Sequence, residues 1–497
     1  MNLLALVLAL PLAGFVLTLF LPQTISKKFV LGFSLLIFIL SLGLIGPAME
    51  NPGAMTSVID MAWIDVPAIR FHIGLDGVSL WLVLLSTFLT PIAALVSQSS
   101  IQRRAKEFFA FLLLLEFGLI GVFCALDLFL FYVFWELVLV PGYFLIGIWG
   151  GERRVYAALK FFIFTMAGSM LMLVAILYIY SKAGTFDVPA LLLQMQSGQL
   201  AFTAVEEMSL FLAFFLAFAV KVPIFPLHAW LPDAYTEAPA GATLLLAGIV
   251  SKMGPYSLLR FNLNLFPDAS ERCAPWIVVL AIIGIIYGAL VALVQPNIKR
   301  LIAYSSISHL GFIVLGLFAG NQFGLDGAVY LMLCHSISTG ALFLLVGCLQ
   351  ERNRSLEIAD FGGVATAAPK LATVFLIASL ASIGLPLLNN FVGEFLILQG
   401  AAQANIWWAA GAALGVILSA WYMLWLYQRT FLGELNASLR ARMNDLAPRE
   451  WSALAPLLIL MLWMGVYAQT WLPGISASNQ VLLERHMPKT AAMKVVK

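Results

Sequence analysis

Apolar stretches of about 20 residues, the length that crosses the hydrocarbon core of a bilayer, recur along the whole chain with only short polar breaks between them. The pattern predicts an all-α integral membrane protein with about fourteen transmembrane helices. They begin near residues 3, 28, 76, 108, 128, 157, 208, 240, 274, 299, 325, 370, 405 and 452. The first run, Asn2 to Leu21, lacks the basic leader and small-residue cleavage pattern of a secretory signal, and more runs follow it. It is therefore read as span 1.

Two spans carry helix breakers at comparable depth. Span 7 contains Pro223 and Pro226 in KVPIFPLHAWLPDA, and span 12 contains Gly384 and Pro386 in SIGLPLLNNFVGEF. A proline removes an amide donor and leaves a carbonyl unpaired, which in lipid is tolerated beside protein or a wet cavity. The breaks lie five helices apart, as expected if two five-helix units, spans 4–8 and 9–13, repeat with inverted orientation. The chain then divides into N-terminal helices (1–100), a first unit (101–265), a second unit (270–432) and a C-terminal helix with its tail (433–497).

Composition agrees: 62% of the 497 residues are apolar and 10% charged, against about 25% charged in soluble domains. A net charge of +2 with scattered basic residues gives no footprint for nucleic acid. Cys124, Cys273, Cys334 and Cys348 form no C-x-x-C pair, and no glycine-rich nucleotide motif follows a strand-like run. No cofactor is expected in this chain. With both termini on the outer side, inner loops (Lys27, Arg103, Arg153, Arg352, Arg440) hold about twice the cations of outer ones, which favours that orientation. The basic tail, Arg485, Lys489, Lys494 and Lys497, is the exception.

Ionisable groups inside spans are costly and mark ion pathways or buried partners. Glu136 lies in span 5, Lys221 at the break of span 7 and Lys252 in span 8. His309 and His335 lie in spans 10 and 11, and Glu394 just past the break of span 12. A switch is expected in which Glu136, when close, holds the proton on Lys221 and, on separating, lets it go through water to Lys252. His309 and then His335 would pass it to Glu394, since imidazole exchanges protons near physiological pH. The duller readings are a static Glu136–Lys221 pair, a Lys252 that snorkels to an interface, and histidines that only bridge core groups. Lys299 is expected to anchor the inner interface beside Arg300, and His228 to organise the broken segment. Glu116 is a further intramembrane acid with no assigned role.

In the stretches DLFLFYVFWELVLVPGYFLIGIWGG, AFAVKVPIFPLHAWLPDA, IKRLIAYSSISHLGF and FVGEFLIL, the chain resembles the antiporter-like M (chain 4) subunits of bacterial NADH-quinone oxidoreductase, the respiratory complex I. The resemblance runs over essentially the full length. It implies proton-pumping roles for Glu136, Lys221 and Lys252, relay roles for His309 and His335, and an exit-side role for Glu394, where the related L and N subunits usually carry lysine. It further implies flavin, iron-sulfur clusters and quinone in partner subunits, with this chain performing no redox chemistry alone. The implied partners are L-like and N-like antiporter-like subunits and small membrane subunits, within a bacterial inner membrane. Two departures stand out: Pro386-Leu387-Leu388-Asn389-Asn390 replaces the family's glycine-rich turn, and Tyr235 stands where many relatives carry histidine. Competing readings are a large subunit of a multisubunit cation/proton antiporter or of a membrane-bound hydrogenase. From another class, a haem carrier would use His309 and His335.

Overall fold

A computed structural model describes residues 2–435, 439 and 442–486. Arg440, Lys489, Lys494 and Lys497 of the charge count lie outside them. Twelve helices among the described residues are long and apolar enough to cross a membrane. They are span 1 (Leu3–Phe20), span 2 (Gln23–Glu50), span 3 (Ser79–Ser100), span 4 (Ala105–Cys124), span 5 (Leu128–Trp149) and span 6 (Arg154–Ala183), then span 8 (Ala240–Leu265) and span 9 (Pro267–Leu293). The rest are span 10 (Ile298–Leu317), span 11 (Gln322–Asn353), span 13 (Ile406–Phe431) and span 14 (Pro448–Val466). The two other expected spans are split helices: Ala204–Lys221 with Trp230–Glu237 where span 7 was expected, and Pro369–Ser382 with Asn389–Ala404 where span 12 was expected. Both interruptions fall where the helix breakers sit.

Spans 8 and 11 are enclosed by the others, and span 10 nearly so. Lipid supplies no hydrophobic force between helices, so close approach depends on small residues. Spans 9 and 10 illustrate this. A Cβ on Gly288 would lie 2.9 Å from the Ser308 nitrogen, and one on Gly311 2.9 Å from the Ala281 oxygen.

Three elements were not anticipated. The connection between spans 2 and 3 is an antiparallel hairpin, β1 (Thr56–Ile64) and β2 (Ile69–Leu75). A short helix, Val188–Gln196, follows span 6, and a terminal helix, Leu472–His486, follows span 14. All three gather on one face. Ile73 of β2 bridges Ala125, and Ser478 of the terminal helix bonds the Pro52 carbonyl at 2.6 Å.

One backbone pattern occurs twice. Asp127 caps span 5 by accepting from the amides of Phe129 and Leu130, both at 2.9 Å. Asn297 caps span 10 through the amides of Lys299 and Arg300 at 3.1 and 3.2 Å. Asp127 bridges Asp187, and Asn297 bridges Glu357. The breaks match as well. Ile224 donates to the Ala219 carbonyl (2.8 Å) and Leu227 to Ile224 (2.6 Å), while Leu385 donates to Leu380 (3.1 Å) and Leu388 to Leu385 (3.0 Å). Asp127 lies on the hairpin face. Asn297 lies on the opposite one, because span 10 leads from it toward Asp326, which bonds Ser476 and Asn479 of the terminal helix.

Candidate functional site

Span 7 stops at Lys221 because Pro223 has no amide to offer. The freed Val220 carbonyl accepts instead from the indole of Trp230 at 2.8 Å, so the second half-helix returns to satisfy the first. Lys221 thus sits at a half-helix C-terminus, where the partial negative charge of exposed carbonyls favours a cation. Its ammonium is buried, 5.2 Å from the Phe161 ring centre and 5.5 Å from that of Trp135, with no hydrogen-bond partner among the described residues.

Glu136, next to Trp135, is only half-buried. It shares a face of span 5 with half-buried Phe129 and Tyr132 and exposed Val140, a stripe the chain leaves uncovered. Among the described residues no ion pair within 4.0 Å joins Glu136 to Lys221. The close pair expected of the switch is therefore not formed here; the two groups flank Trp135.

Lys252 is completely buried, which overturns snorkelling. It follows a π-helical segment, Leu246–Val250, whose extra residue per turn displaces carbonyls from the regular ladder. Lys252 Nζ donates to one of them, Ala247, at 2.7 Å, lies 3.2 Å from Ser251 Oγ, and meets His335 Nδ1 at 2.8 Å. Lys221 and Lys252 flank a tight helix contact, since a Cβ on Gly254 would stand 2.8 Å from the Val222 nitrogen.

From Lys252 the groups continue across the molecule. The His335 and His309 rings are 5.3 Å apart between centres, and His309 Nδ1 lies 3.0 Å from Glu394 Oε1. The histidine order expected from the sequence is thus reversed: Lys252, His335, His309, Glu394. Chain order misled, because it is His309 on span 10, and not His335 on span 11, whose ring reaches Glu394. Both histidine Nε2 atoms lack a partner among the described residues. Each imidazole therefore uses one nitrogen and leaves the other available, as a relay group requires.

Of the accessory residues, Lys299 is buried and donates to the Ala238 carbonyl, so it tethers the end of span 7 rather than facing an interface. His228 stacks on Phe225 at 5.6 Å and meets Tyr287 edge-on at 5.0 Å, within the break. Glu116 is wholly buried, and neither carboxylate oxygen has a partner among the described residues. Tyr235 donates to the Leu246 carbonyl of the π segment at 3.1 Å. At the other departure, where the resemblance led to the expectation of a glycine-rich turn, Leu387 takes a left-handed φ of 74°.

Sequence reasoning missed Asp233, although it lies in the WLPDA motif. Its carboxylate takes Lys160 at 2.7 Å and Arg300 at 3.1 Å, tying spans 6, 7 and 10 on the face opposite the hairpin. It falls six residues beyond Leu227, as Glu394 falls six beyond Leu388, so the duplicated break marked its place. Also missed was a pair on the hairpin face, His72 with Asp187. Burial pushes the His72 imidazolium down, but the hydrogen bond and charge of Asp187 outweigh it, and the net shift is upward. No group of three or more His, Cys, Asp or Glu side chains that could hold a metal occurs among the described residues.

Residues 125–419, which contain the whole buried array, match the family model described as "NADH:quinone oxidoreductase/Mrp antiporter, TM". The chain belongs to that family. It is 45% identical over 424 residues to the NADH-quinone oxidoreductase subunit M of Rhodobacter capsulatus, covering 84% of this chain and 82% of the relative. It is 40% identical over 488 residues to the NADH-ubiquinone oxidoreductase chain 4 of Marchantia polymorpha, covering 97% of each. Among solved structures it is similar to a chain of respiratory complex I from Thermus thermophilus, with TM-score 0.89, 35% identity and coverage of 98% of this chain and 100% of that one. The family's shared passages thus include both broken helices.

Proposed function

We propose that this chain is a proton-translocating membrane-arm subunit of an NADH:quinone oxidoreductase. NADH oxidation, flavin, iron-sulfur clusters and quinone reduction belong to partner subunits, and the lipid bilayer together with L-like, N-like and small membrane subunits surrounds it. The observation that carries this reading is the buried array Lys252–His335–His309–Glu394, which crosses from span 8 to span 12 with contacts of 2.8 and 3.0 Å at its ends. Groups that each gain and lose a proton, held in sequence inside a dry bundle, form a relay.

Lys221 feeds this array across the Val222–Gly254 contact, and Glu136 governs Lys221 by its distance. In this conformation no ion pair within 4.0 Å joins Lys221 to Glu136, so the close state of the switch is not formed. The duplicated caps and breaks support two inverted five-helix units, 101–265 and 270–432. The hairpin face is the outer, periplasmic side of a bacterial inner membrane, with both termini there.

The test uses the assembled complex in liposomes, with Lys221→Ala and Glu136→Gln. Proton uptake per NADH oxidised should fall in both while the complex stays intact. Unchanged uptake in intact complexes would sink the proposal.

A further inference from the structure

We propose that Arg260 seals the outer end of the first unit, so that a proton on Lys252 leaves sideways through His335 and not directly outward. The inference rests on the proton-translocating reading above. Lys252, Tyr256 and Arg260 follow one another at four-residue intervals in span 8, and Arg260 lies in a second π-helical segment, Leu258–Asn262. Above Arg260, on the hairpin face, a cavity of about 350 Å³ is lined by Asp76, Val188, Asn264, Leu482 and Arg485. Arg260 itself forms part of its wall. At a rise of about 1.5 Å per residue, the cavity floor stands roughly 12 Å from Lys252. The outer aqueous side thus comes within two to three helical turns of the central lysine.

The groups in that gap block a proton wire. Tyr256 donates its hydroxyl hydrogen to the Phe123 carbonyl at 2.7 Å and accepts from Arg260 Nε at 3.2 Å. Its proton is committed to a backbone carbonyl that cannot pass it on. Arg260 also pairs with Asp76, both side chains being largely buried, and its guanidinium lies 5.3 Å from the Tyr256 ring centre. A guanidinium keeps its charge at all working pH values. The wall facing Lys252 therefore carries a guanidinium that does not release its proton, its charge partly offset by Asp76, with Arg485 adding a second cation at the cavity rim. Fixed arginines exclude protons and cations from pores by this means. The lateral contact of Lys252 with neutral-capable His335 meets no such barrier.

The experiment measures passive proton flux into liposomes containing the whole complex, under an imposed pH gradient and without NADH. Arg260→Gln should raise proton conductance about tenfold or more over the parent complex, the change given by a barrier lowered by ~1.4 kcal/mol, and adding Lys252→Ala should return it to the parent value. During turnover, Arg260→Gln should keep NADH oxidation while net pumping falls. Should Arg260→Gln not assemble, the double variant Asp76→Asn/Arg260→Gln, which removes both charges of the buried pair, is measured in its place. Parent-level conductance in an assembled variant overturns the seal, as does a leak that survives Lys252→Ala. The pumping proposal fails independently, if Lys221→Ala leaves proton uptake per NADH unchanged.

Discussion

Replacing Lys252 separates a proton carrier from a fixed structural cation. Its ammonium supplies the Ala247 carbonyl at 2.7 Å and His335 Nδ1 at 2.8 Å, both enclosed. Lys252→Met fills similar volume but leaves both acceptors unmet, at about 1–3 kcal/mol each. Lys252→Arg retains the charge and donors at some overpacking cost, about 1–3 kcal/mol in a filled core, yet cannot release its proton. Both variants should therefore lose pumping, with Lys252→Arg doing so while the electrostatics stay nearly native. A barrier raised by only ~2.7 kcal/mol slows transfer about a hundredfold. NADH oxidation and proton uptake are measured together in liposomes holding the assembled complex. If Lys252→Arg pumps at the parent ratio, Lys252 is a static cation and the relay does not pass through it.

Three further outcomes follow from other parts of the molecule. Because the His72 shift is upward from 6.5, the His72–Asp187 bond contributes stability that is full below the unfolded value and is lost as pH rises through the folded one. Thermal melts of the complex should show this loss as pH rises from below 6.5, and Asp187→Asn should flatten it. Asp233→Asn should destabilise by about 1–2 kcal/mol, discounted for the partial exposure of Lys160 and Arg300; a double-mutant cycle with Lys160→Gln should be non-additive. Leu387→Gly should be neutral or stabilising by about 0.5–1 kcal/mol, since the left-handed turn strains leucine and its side chain is 68% exposed; a lowered melting temperature would count against strain there.

The sequence made the apolar runs, both breaks and the six ionisable groups inside them legible, because a bilayer enforces long apolar runs and singles out any charge within them. The order of the histidines was not legible. It depends on how spans 8, 10, 11 and 12 sit around one another, which span numbering does not encode. The surroundings of Lys221 were likewise not legible, because the Trp135 and Phe161 rings beside its ammonium come from spans 5 and 6. Asp233 escaped notice because its neighbours in sequence read as a helix end, while its partners come from spans 6 and 10. The hairpin was hidden because Thr56–Leu75 lies between hydrophobic runs that dominate any reading by period.

The π segment before Lys252 has a consequence for how this chain can change by insertion and deletion. A π turn is an α turn carrying one surplus residue. Removing a single residue from Leu246–Val250 would let that stretch relax to an ordinary α-helix. Every side chain beyond would then turn by about 100° relative to those before. Lys252 would swing off His335, and Arg260 off Asp76, while length and hydropathy stayed almost the same. Gapless alignment through span 8 is therefore a sharper criterion for a working relative than the presence of a lysine somewhere in that helix.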